Sequence, residues 1–117
     1  MNAMEQETAN GSTVIRLRGE VDLSWSQQVR RAVLDALEAS PRVGVELSGV
    51  SYIDSSGIAA LVEGFQNART HGRGFALVAV SDAVRSVLEL ARLDRVFPIV
   101  ADAAAIPDVT GTPAWKP

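Results

Sequence analysis

The chain predicts an α/β fold: a mainly parallel sheet of about five strands, opened by an antiparallel hairpin and covered by helices on one face. Three observations carry that expectation. Strand-like and helix-like patterns alternate three times with short connections, which in one sheet means parallel strands joined by right-handed crossovers. Asn10-Gly11, between two extended runs, is a two-residue hairpin signal. Phe75-Ala-Leu-Val-Ala-Val is apolar throughout, as in a strand shielded on both sides.

Asn2–Thr8 is expected to pair antiparallel with Thr13–Gly19, where Ile15 and Leu17 alternate with Arg16 and Arg18, and the pair forms one edge of the sheet. Ser24 is expected to cap a helix from about Trp25 to Glu38, with Val29, Ala32, Val33, Ala36 and Leu37 on its apolar face. Pro41 stops that helix, and Val43, Val45 and Leu47 begin a second alternating strand. Ile58, Leu61, Val62, Phe65 and Ala68 form the stripe of the next helix, which ends near His71-Gly72 with glycine as its C-cap. After the apolar strand, Ser81 caps a third helix, Asp82–Ala91, burying Val84, Val87, Leu88 and Ala91. A last strand, Val96–Val100, contains Pro98, which suits an edge. Residues 1–106 make one domain. Residues 107–117 read as a flexible tail, in which Trp115 either anchors back onto the domain or offers an exposed apolar contact.

The 117 residues, 47% apolar and 21% charged, are the size of one compact domain. Eleven basic against 14 acidic residues leave a net charge of -3, and no cluster of Lys or Arg suggests direct nucleic-acid binding. The lack of cysteine excludes disulfides and thiolate metal sites, and one histidine without partner ligands makes a metal or other cofactor unnecessary. Neither a signal peptide nor an apolar run long enough to cross a bilayer is apparent, so a soluble cytoplasmic protein without membrane insertion is expected.

Function is expected where the second strand meets its helix, at Ile53-Asp54-Ser55-Ser56-Gly57. Hydroxyls there lie beside unpaired backbone N–H groups and the positive end of the helix dipole, a setting that accommodates a phosphate. Asp, Ser and Gly are also ordinary helix-start residues, so Asp54 reads either as an N-cap or as a group that orients a serine or meets a partner. Gly57 either admits a close partner or relieves crowding in the first turn. Trp25 is either packed under its helix or an exposed anchor. Ala60 and Gly64, four apart on a face away from the stripe, offer a smooth strip to another helix, or reflect neutral variation. Hydrolysis by a serine triad is excluded, because the only histidine, His71, stands at the far end of the same helix, roughly 20 Å or more from Ser55. No enzyme activity is expected.

From Leu47 to Gly57 the run Leu-Ser-Gly-Val-Ser-Tyr-Ile-Asp-Ser-Ser-Gly resembles the signature of STAS domains, in particular bacterial anti-sigma factor antagonists. Ile15-Arg-Leu-Arg-Gly-Glu-Val-Asp22 is similar to the family's early strand, and the resemblance spans roughly Val14–Val100. It implies that the serine after the aspartate, Ser55, is phosphorylated by a partner kinase, with Ser56 as the fallback. It also places Glu20 and Asp22 on the partner surface beside Asp54, Ser56 and Gly57. The implied partner is an anti-sigma factor that is also a serine kinase of the histidine-kinase-like ATPase fold. Binding it frees a sigma factor and so regulates transcription indirectly, and a serine phosphatase resets the switch. Burying a phosphate opposite a neutral or acidic partner surface costs several kcal/mol, so the switch acts on association. Two alternatives stand: a docking subunit of a lipid-transport ABC complex, which Ala59-Ala60-Leu61 resembles, and an anion- or nucleotide-sensing STAS module. The sequence specifies no oligomeric state.

Overall fold

The computed structural model describes residues 2–109. In chain order it holds β1 (Ala3–Ala9), β2 (Ser12–Val21), α1 (Leu23–Ala39), β3 (Arg42–Ile53), α2 (Ser55–Thr70), β4 (Gly74–Val78), α3 (Asp82–Leu90) and β5 (Ile99–Val100). Single 3-10 turns cover Leu93–Arg95 and Ala103–Ala105. The sheet runs in sequence order, with β1 antiparallel to β2 and every other pair parallel. This is the predicted architecture. Asn10 (φ 55°) and Gly11 (φ 78°) form the hairpin turn, both left-handed as a two-residue loop of the I′ kind requires.

The helices and one sheet face share a single core. Ile15 and Leu17 of β2, Val43, Val45 and Leu47 of β3, and Phe75 and Leu77 of β4 meet Val29, Val33 and Leu37 of α1, Leu61 and Phe65 of α2, and Val84 and Leu88 of α3. Phe65 and Phe97 pack edge to face with ring centroids 5.5 Å apart. Arg30 and Glu63 form a two-pronged ion pair between α1 and α2, both contacts at 2.7 Å. The Arg30 hydrogen bond holds the Glu63 carboxyl below its ordinary range. At the far end of α2, Gly72 (φ 67°) is the left-handed residue after the cap. Its N–H reaches the Arg69 carbonyl at 3.4 Å and that of Arg73 the Ala68 carbonyl at 2.8 Å, the paired bonds of a Schellman ending.

Several boundaries differ from the sequence expectation. α1 starts two residues early because Asp22, not Ser24, is its N-cap: the carboxylate accepts the Ser24 N–H at 3.1 Å and the Ser24 hydroxyl at 2.6 Å. Ala91 is exposed rather than buried under α3. The last strand shrinks to Ile99–Val100, because the Val96 and Phe97 N–H groups bond back to the Leu93 carbonyl at 3.0 and 3.1 Å. That turn sends the Phe97 ring into the core.

The helix-free face is crossed by the chain after β5. Ile106 lies buried over Gly44 and Val78, joining Val14 and Ala76 in a second apolar cluster. Pro107 rests on Gly74, and Asp108 pairs with Arg42 at 2.5 Å. The remainder of the expected tail, Thr110–Pro117 with Trp115, lies outside the described residues. Among the described residues, no helix is long and apolar enough to cross a membrane.

Candidate functional site

β2 and β3 run side by side to the same edge, and each feeds directly into a helix. Val21 pairs with Ile53, and the Asp54 N–H donates to the Val21 carbonyl at 3.2 Å. β3 carries extra residues opposite Arg16–Arg18 and Gly19–Glu20, so it bulges against β2 as it approaches that edge. Beyond the end of β4, the exposed edge of β3 is tied by Ser81, whose hydroxyl donates to the Val50 carbonyl at 2.7 Å while accepting the Val84 N–H at 3.2 Å.

Asp54 is the N-cap of α2. One carboxylate oxygen accepts the Ser56 N–H at 2.9 Å, the Gly57 N–H at 3.1 Å and the Ser56 hydroxyl at 2.6 Å. These bonds, the Ser56 hydroxyl foremost, hold the Asp54 carboxyl below its ordinary range, and the Leu23 backbone N–H at the start of α1 adds to the effect.

The two serines differ in kind. Ser56 is half-buried with its hydroxyl committed to Asp54. Ser55 is exposed at the first helical position, and among the described residues its side chain makes no hydrogen bond. Its hydroxyl stands at the end of a helix whose dipole favours added negative charge.

The other expected residues divide. Glu20 and Asp22 lie at this edge, Glu20 exposed and Asp22 half-buried as the α1 cap. Trp25 is 7% exposed and belongs to the main core, so the packed reading holds and no large anchor stands there. Gly57 is buried, and a Cβ on it would lie 2.7 Å from Ile53 Cγ1 and 2.8 Å from the Val21 carbonyl oxygen. Its lack of a side chain relieves crowding inside the fold. Ala60 and Gly64 are buried as well, and a Cβ on Gly64 would lie 2.6 Å from Val33 Cγ1 of α1. The smooth strip exists, but α1 of the same chain fills it. Sequence reasoning missed two exposed apolar side chains at the edge, Leu23 at 73% and Tyr52 at 50%.

Among the described residues, no cluster of His, Asp and Glu could hold a metal ion. What the edge presents is a free hydroxyl, a helix start and a carboxylate frame, a constellation suited to binding and modification.

A curated anti-sigma F factor antagonist of Paenibacillus polymyxa is 26% identical over 98 residues, spanning 82% of this chain and 84% of its own. The structure of an anti-sigma-factor antagonist (STAS) domain protein from Planctomyces limnophilus superposes with a TM-score of 0.74 at 26% identity, covering 86% of this chain and 92% of that one. The Bacillus cell fate determinant SpoIIAA in its phosphorylated form superposes with a TM-score of 0.69 at 23% identity, covering 87% and 94%. A family model described as "Mlab, STAS domain" matches residues 4–101. That match takes in the sheet, all three helices and the Asp54–Gly57 junction, and the chain belongs to the STAS domain family.

Proposed function

We propose that this STAS domain is a phosphorylation-switched anti-sigma factor antagonist, itself a substrate and not an enzyme. With Ser55 unmodified it binds an anti-sigma factor that is also a serine kinase of the histidine-kinase-like ATPase fold, and a sigma factor is freed. Phosphorylation of Ser55 ends the association, and a serine phosphatase restores it. The observation that carries this reading is the difference between the serines: Ser55 offers an exposed, unbonded hydroxyl, whereas Ser56 is held by Asp54 at 2.6 Å. The antagonist relatives and the phosphorylated SpoIIAA structure support it.

Affinity capture from the native host's lysate tests the reading with wild-type, Ser55→Ala and Ser55→Glu baits. A serine kinase of that fold is expected on wild type and Ser55→Ala and absent from Ser55→Glu. In the same lysate with ATP, Ser55→Ala should abolish phosphate incorporation, while Ser56→Ala retains it. The family model's description and Ala59-Ala60-Leu61 favour a second reading, a subunit docked constitutively on a transport ATPase. Transporter ATPase subunits captured equally by all three baits would establish it and remove the first.

A further inference from the structure

The edge that presents Ser55 also presents a leucine that packing does not explain. Leu23 is 73% exposed at the first position of α1, where it adds nothing to the core. Its placement mirrors that of Ser55. Each helix begins with an aspartate cap, then an exposed residue, then a serine whose hydroxyl returns to the cap at 2.6 Å. Because Val21 and Ile53 are in register on neighbouring strands, Leu23 and Ser55 occupy equivalent positions on adjacent helix starts.

The charged residues of the two junction segments are all acidic. Residues 19–26 and 51–58 include Glu20, Asp22 and Asp54 and no Lys or Arg. Such an edge complements a cationic surface, not an acidic one. Added phosphate is then not expelled by repulsion between like charges. A strongly hydrated dianion is instead incompatible with an apolar recess closing beside it.

We propose that Leu23 is the apolar anchor of the partner interface, seated in a recess rimmed by cationic groups on a protein partner, and that phosphate at Ser55 is rejected because its hydration cannot enter that recess. This inference rests on the phosphoswitch reading above. It replaces the neutral or acidic partner surface expected from sequence with a basic rim around an apolar centre.

The test is calorimetric titration of the full chain against each purified anti-sigma serine kinase of the host, with wild type, Leu23→Ala and Ser55→Glu, at about 0.1 M and 1 M salt. Leu23→Ala should weaken binding at least about tenfold, as truncation of an interface anchor does. Its melting temperature should stay unchanged, since the side chain is already in solvent. Wild type should weaken at 1 M salt as its attraction to the cationic rim is screened, and Ser55→Glu should keep the same deficit relative to wild type at both salts, because desolvation is not screened whereas repulsion is. Leu23→Ala binding within twofold of wild type overturns the anchor and leaves the switch standing if Ser55→Glu still fails. Recovery of Ser55→Glu at 1 M salt overturns the desolvation mechanism in favour of repulsion. No binding of wild type to any of these kinases removes both the inference and the reading beneath it.

Discussion

Substituting Gly57 by alanine tests whether the start of α2 is pinned by the sheet. The new methyl group would stand 2.7 Å from Ile53 Cγ1, 2.8 Å from Val21 Cγ1 and 2.8 Å from the Val21 carbonyl oxygen. Favourable carbon contacts begin near 3.5 Å, so the nearest overlap is roughly 0.8 Å. Side-chain tips can yield, but the Val21 carbonyl already accepts the Asp54 N–H at 3.2 Å, and Val21 is paired in register with Ile53. Overpacking of this kind costs about 1–3 kcal/mol. The better helix propensity of alanine returns at most about 1 kcal/mol. With that return in full the balance is a net loss of up to about 2 kcal/mol, or a melting temperature lower by up to roughly 10 °C for a domain of this size.

Thermal unfolding followed by circular dichroism reads that balance directly. A second consequence is local: the Gly57 N–H is one of the donors to Asp54, at 3.1 Å, so relaxing the clash loosens the cap and displaces Ser55. If Ser55 is the phosphorylated residue, as proposed, phosphate incorporation there should therefore slow even well below the melting temperature. A higher melting temperature would refute the reasoning, since it would mean that propensity wins and the helix start is free to shift.

Two further outcomes follow from the same geometry. Because hydrogen bonds in the fold lower the Asp54 pKa, its stabilising contribution is complete above the ordinary carboxyl value of about 3.9 and is lost as pH falls through the lower folded value. The stability deficit of Asp54→Asn, measured by urea unfolding, should therefore shrink as pH is lowered below about 4; a deficit constant from about pH 7 to pH 2 contradicts this. Ile106→Ala should cost about 2 kcal/mol, at the low end for a buried isoleucine because the site is a strap and not the main core. It should leave capture of the proposed kinase partner unaltered, since Ile106 lies on the helix-free face, and lost capture in a folded variant would show that the strap belongs to the interface.

Most of the architecture was legible because local signals agreed with the tertiary outcome: the Asn10-Gly11 turn, the caps at Asp54 and Ser81, and the apolar faces of three helices. The departures share a cause, namely that one-dimensional patterns do not report which neighbour fills a face. Ala60 and Gly64 look like an open strip because the residues that occupy it, Val33 among them, come from a different helix. Val96–Val100 has strand composition, yet core space beside Phe65 and Phe75 draws in Phe97 and bends the chain. The aromatic at the start of α1, Trp25, is buried, whereas the exposed residue there is Leu23, two positions earlier. A signal for it was present: Asp22-Leu23-Ser24 and Asp54-Ser55-Ser56 share one Asp-x-Ser spacing, and the middle residue of each is exposed.

That shared spacing also explains how a charge can be added at this edge without disturbing the fold. The Asp54 carboxylate is already met by two backbone N–H groups and a hydroxyl, so its repulsion of a neighbouring phosphate is partly offset before the phosphate arrives. At Ser55 the new group extends into solvent from the first helical position, where the dipole favours it and no existing hydrogen bond is broken. The same group on Ser56 would break the 2.6 Å bond to Asp54 and place a dianion against that carboxylate in a half-buried position. One residue of displacement would convert a modification that alters what the surface can bind into one that attacks the cap of α2, and this asymmetry is the reason for proposing Ser55 rather than Ser56 as the switch.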